Sequence, residues 1–182
     1  MMKALLIIDV QNDYFPNGKC ELCQSEAALD VIKRLLKCFR ENNQPVYYVQ
    51  HISAENAAFF ISNTDGASIH REIKPLDSEK IIEKHYPNSF YETDLQEKLK
   101  RNSITELVVC GMMTHMCVDT TVRAAKDLGY QVTLISNACA TKSLEWNGNK
   151  ISADIVQSVY MASINGKFAN VMTDKEFLSE VS

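Results

Sequence analysis

Apolar residues run almost without a break from Lys3 to Val10 (KALLIIDV), with an acid, Asp9, at the end of the run. Continuous runs of this kind form strands covered on both faces, as in a parallel sheet. The polar, turn-rich stretch Gln11–Gly18 follows. From Ser25 to Asn43 the period changes to helical, with Ala28, Val31, Ile32, Leu35, Leu36 and Phe39 on one face and Ser25 as N-cap. A strand over Val46–His51 completes a β-α-β unit, whose crossover is expected to be right-handed. Ile52–Ser78 shows little periodicity, and loops this long in compact domains usually carry function. The rest alternates again. Strands are expected at Glu79–Lys84, Thr105–Cys110, Gln131–Ser136 and Phe168–Met172. Helices are expected at Glu92–Arg101, Thr114–Leu128 (stopped by Gly129), Ile151–Ile164 and Asp174–Glu180. A turn is expected at Asn88–Tyr91, and a loop at Asn137–Asn149. This order implies an α/β fold, a three-layer Rossmann-like arrangement of about six parallel strands with helices on both faces.

Composition narrows the picture only a little. A chain of 182 residues is expected to form one domain, 1–182. With 19 basic and 23 acidic residues, a net charge of −4 gives no electrostatic footprint for nucleic acid or an anionic membrane. No apolar run approaches the ~18 residues of a membrane span. MMKALLIIDV is too short, and too soon followed by acids and amides, for a signal peptide, so it is read as a strand. Six cysteines (20, 23, 38, 110, 117 and 139) form no disulfide framework, and a reducing cytoplasm is the expected compartment. Cys20-x-x-Cys23 has redox spacing but no second pair. Cys38, Cys110 and Cys139 fall where packing explains them.

The candidate chemistry lies at strand ends. In an open parallel sheet, reactive groups gather beyond the carboxyl ends of the strands, where strand order reverses. Asp9 closes the first strand and Lys84 closes another. Cys117 begins a helix just after a strand and Gly111, where outward N–H groups and the helix dipole favour thiolate over thiol. Each residue alone is weak evidence, since strand-end Asp is common, a Lys in a charged segment is usually solvated and free Cys usually packs as a small hydrophobe. Together they offer a base, a cation and a nucleophile.

Three blocks, LLIIDVQNDYF, EKHYPNSF and GMMTHMCVDTTVRAA with LISNACAT, resemble the signature blocks of the isochorismatase-like cysteine hydrolases, a superfamily that includes nicotinamidases and N-carbamoylsarcosine amidohydrolases. The resemblance runs from Leu5 to about Phe177. It implies an Asp9–Lys84–Cys117 triad, a cis peptide at Met112–Met113 and an oxyanion hole from the backbone N–H groups of Met113 and Cys117. It implies attack of Cys117 on a small amide or carbamoyl carbon, giving a thioester, with Asp9 as base and then acid. The alternatives are an isochorismatase-type vinyl-ether hydrolase and a non-catalytic α/β binding module. Nicotinamidases of the family hold a metal with an Asp and two His after the second strand. Here that place reads QHISAEN, and His51 and His70 stand apart, so no metal or other cofactor is expected. The candidate substrate contacts are Phe15, Gln11, His115 and Trp146. The family further implies a homodimer or homotetramer acting on a small molecule.

Overall fold

Residues 2–181 are described by a computed structural model. In chain order the elements are β1 (Met2–Ile8), α1 (Ser25–Glu41), β2 (Val46–His51), β3 (Lys80–Lys84), α2 (Leu95–Arg101), β4 (Ile104–Met112), α3 (Asp119–Asp127), β5 (Gln131–Ala140), β6 (Leu144–Trp146), β7 (Asn149–Ile151), α4 (Ala153–Ile164), β8 (Asn170–Met172) and α5 (Asp174–Val181). Six strands form one parallel sheet in the order β3-β2-β1-β4-β5-β8. β1 sits at its centre because its run is apolar on both faces. Leu5 and Ile7 face one core with Ile32, Leu35 and Phe39 of α1 and Phe177 of α5. Ala4, Leu6 and Ile8 face the other, with Leu95 and Leu99 of α2, Val122 of α3 and Ile164 of α4. The expected three layers are therefore present. Strand order reverses between β1 and β4, which makes the carboxyl ends of those strands the place for a site.

Several element ends differ from the sequence reading. Ser25 is the first residue of α1 rather than its cap, and Gln24 precedes it in a left-handed conformation, φ 62°. α2 starts at Leu95 because Glu92 has φ 53°, which a right-handed helix cannot contain. β4 and β5 extend further, to Met112 and Ala140. The expected helix over Thr114–Leu128 opens with one π-helical turn, Thr114–Val118, in which the Val118 N–H reaches back five residues to the Met113 carbonyl at 3.2 Å. The expected loop at Asn137–Asn149 holds the end of β5 and most of the hairpin β6–β7, whose second strand runs on to Ile151. Its turn, Asn147-Gly148, has φ 48° and 75°, the paired positive values of a two-residue hairpin turn.

Ile52–Ser78 is held down by a buried acid that the sequence did not single out. Asp13 Oδ2 accepts the Phe60 N–H at 2.7 Å, and Oδ1 accepts the Lys19 N–H at 3.1 Å. Tyr14 packs edge-on against Phe60. Gly66 passes so close that a Cβ there would lie 2.3 Å from the Asp13 carboxylate.

Gly111 is fixed more tightly still. It has φ 127°, and a Cβ would lie 2.1 Å from the Ile8 carbonyl oxygen. Gly111→Ala is therefore expected to destabilise the fold by about 2–4 kcal/mol, combining backbone strain and overpacking. Urea unfolding checks this, and an unchanged midpoint would show that β1 and β4 can separate freely.

Among the described residues, no helix is long and apolar enough to cross a membrane.

Candidate active site

Three strand ends and one turn converge. Asp9 follows β1 with φ 49°, and its N–H is bonded to the Val49 carbonyl at 3.0 Å. Register pairs His51 at the end of β2 with Lys84 at the end of β3. β4 ends in the Met112–Met113 peptide, which is cis, and the π-helical turn then carries Cys117. Asp9 and Lys84 are fully buried and Cys117 is 5% exposed.

The side chains touch. Lys84 Nζ lies 2.7 Å from Asp9 Oδ2, 3.2 Å from Cys117 Sγ and 3.0 Å from His51 Nδ1. Asp9 Oδ1 is buried and makes no hydrogen bond. Burial works against the charge on Lys84, but Asp9 and Cys117 outweigh it and raise its pKa. Burial and the Asp9 carboxylate push the Cys117 pKa up, against the pull of the Lys84 ammonium. Burial and Asp9 thus act against the helix start and Lys84, which favour thiolate. Desolvation at this helix start therefore opposes the dipole, and a carboxylate able to accept the thiol proton stands in the same cluster.

In the sequence His51 stands apart from other ligand-type residues, and its contact with Lys84 emerges only from the fold. The available signal was its position at a strand end, like Asp9 and Lys84. Burial and the Lys84 ammonium draw its pKa down from the usual 6.5 to about 4. Between these values the unfolded chain binds more protons than the folded one. This contribution to stability is therefore complete above 6.5 and is lost as the pH falls towards 4. Urea midpoints across that range should fall accordingly in the wild type, and the slope should flatten in His51→Asn.

The other candidates are dispersed. Gln11 is fully buried, and its side chain pairs with the backbone of His51, accepting the N–H and donating to the carbonyl, both at 2.8 Å. Phe15 packs against His70 at 4.3 Å between ring centroids. His115 Nδ1 bonds Thr141 Oγ1 at 2.6 Å. Trp146 stands 71% exposed on the β6–β7 hairpin. A cleft of about 430 Å³ opens beside the end of β5, lined by Asn137, Cys139, Thr141 and Gln157 among others, but by none of Asp9, Lys84 or Cys117. Gln157 also accepts the Thr114 hydroxyl at 2.7 Å, tying α4 to the start of the π-helical turn.

Asp9, His51 and Cys117 present ligand-type atoms within 4.8 Å of one another. The donor set does not fit a metal, because the Lys84 ammonium already stands within hydrogen-bonding distance of all three. His70 is elsewhere, its Nδ1 accepting the Glu72 N–H.

The isochorismatase domain model matches residues 3–173. The chain belongs to the isochorismatase family of hydrolases. It is 48% identical over 179 residues to the isochorismatase family protein YddQ of Bacillus subtilis, covering 98% of this chain and 99% of that one. The crystal structure of an isochorismatase from Pseudomonas putida superposes with a TM-score of 0.91 at 34% identity, over 96% of this chain and 89% of that one. A streptothricin hydrolase of Streptomyces noursei is 33% identical over 140 residues, 77% of this chain and 50% of that protein.

Proposed function

We propose that this hydrolase cleaves the C–N bond of a small amide or carbamoyl substrate through a thioester on Cys117. The observation that carries the reading is the buried contact of Lys84 with both Asp9 and Cys117, beside the unpartnered Asp9 Oδ1. Asp9 takes the thiol proton as Sγ attacks the carbonyl carbon. The Lys84 ammonium offsets the charge on the forming thiolate. The backbone N–H groups of Met113 and Cys117 form the oxyanion hole, where one donor is typically worth ~10²–10³ in rate. The tetrahedral intermediate then collapses, the C–N bond breaks and Asp9 returns its proton to the leaving amine. Water, deprotonated by Asp9, attacks the thioester to give the acid and restores the thiol.

The vinyl-ether alternative gives no role to a buried thiol held by lysine, and a relic binding module would have no reason to keep an acid, an ammonium and a thiol desolvated together. A panel of small amides, carbamates and ureas with ammonia detection tests the reading. Release of ammonia or amine is expected. Activity on isochorismate that survives loss of Cys117 would instead favour the vinyl-ether reading. A reducing cytoplasm is part of the proposal, supported by six free thiols. So is a homodimer or homotetramer, which light scattering tests.

A further inference from the structure

We propose that His51 is the third acceptor that locks the Lys84 ammonium between Asp9 and Cys117, and that it acts on the reaction as a positioning residue. The catalytic consequence rests on the cysteine-hydrolase reading above, whereas the contact itself rests on geometry. An ammonium has three N–H donors and no acceptor. Lys84 Nζ has three neighbours at hydrogen-bonding distance, Asp9 Oδ2 at 2.7 Å, His51 Nδ1 at 3.0 Å and Cys117 Sγ at 3.2 Å. One proton goes to each. Nδ1 must then be the unprotonated nitrogen, and the imidazole proton sits on Nε2.

The backbone holds this arrangement in place. The Gln11 side chain brackets the His51 peptide groups and donates as well to the Ala67 carbonyl at 2.8 Å. The next residue, Ile52, donates its N–H to the Lys84 carbonyl at 2.9 Å. Imidazole and ammonium are therefore fixed at their main chains as well as at their tips. This gives the buried Gln11 a role in holding the His51 backbone.

The charge state of the acceptor matters. The groups acting on His51 are Lys84 and His85, which disfavour its protonation, and Asp9, which favours it; burial is the largest influence, and the balance is neutral. A carboxylate in its place would compete with the thiolate for the ammonium, and a cation would repel it. A neutral acceptor orients the third N–H and leaves the positive charge to Asp9 and Cys117. Without it, one buried N–H loses its acceptor and Nζ is free to turn from the sulfur as the thiolate forms. The loss should fall on kcat, because the ammonium makes its strongest contact as negative charge develops on sulfur.

Imidazole ¹⁵N NMR of the wild-type protein tests the contact without any substrate. The expected result is a neutral His51 in the Nε2–H form with a hydrogen-bonded Nδ1, and a titration midpoint that rises in Lys84→Met. An Nδ1–H tautomer in the wild type overturns the proposal even if Lys84→Met fails to fold, as does an unmoved midpoint in a folded Lys84→Met. In turnover, His51→Ala should lower kcat by about 10–100-fold, the range for losing a hydrogen bond to a charged group, with KM little changed. His51→Asn, whose Oδ1 occupies the place of Nδ1, should recover most of that loss. A kcat within twofold of wild type in His51→Ala, or equal losses in both variants, overturns the positioning role. If no amide in the panel is turned over, the hydrolase reading fails while the NMR measurement still decides the contact.

Discussion

Cys117→Ala is expected to abolish turnover, by about 10⁴-fold or more, because no other group in the site can form the acyl intermediate. The stability cost should be small by comparison, since the thiol is a small group and its removal leaves the Asp9–Lys84 pair intact. Cys117→Ser should be nearly as inactive. The hydroxyl keeps the hydrogen bond to Lys84 but is a much weaker nucleophile, so the pair of variants separates packing from chemistry. A folded Cys117→Ala that retains appreciable activity on the same substrate would mean that the sulfur is not the nucleophile.

Lys84→Met should be the most damaging substitution for stability and should remove activity as well. Lys84 is fully buried against Asp9. Removing one partner of a buried pair leaves an uncompensated charge, at a cost of about 3–5 kcal/mol. The double variant Asp9→Asn/Lys84→Met should regain much of that stability, because an amide carries no charge that needs a partner, yet it should remain inactive. Urea unfolding of the two singles and the double gives the coupling directly. Additive losses would show that Asp9 and Lys84 do not depend on each other, and the account of the site would then lose its electrostatic basis.

The legible parts of this molecule were those written in local pattern. The runs around β1, β2 and β4 gave the parallel sheet. The strand-end rule brought out Asp9 and Lys84, and the turn at Gly111 brought out Cys117. What was not legible depended on distance in the chain. The contact of His51 with Lys84 comes from the β2–β3 register, and Asp13 reaches Phe60 across 47 residues. The direction of the Cys117 pKa depends on burial, which opposes the helix start that suggested a thiolate. The exposure of Trp146 follows from a hairpin whose signal, Asn147-Gly148, was present in a stretch read as loop. The partners of the Gln11 amide, the backbones of His51 and Ala67, lie 40 and 56 residues away and were not legible either.

The central claim is covalent catalysis at Cys117, and intact-mass spectrometry during turnover tests it most directly. A substrate from the amide panel, quenched in acid in the steady state and mapped by peptide digestion, should add the mass of its acyl group to the peptide carrying Cys117. The adduct should disappear once substrate is exhausted and be absent from Cys117→Ala. Steady turnover in Cys117→Ala, or an acyl group mapped to a different residue, would contradict the account.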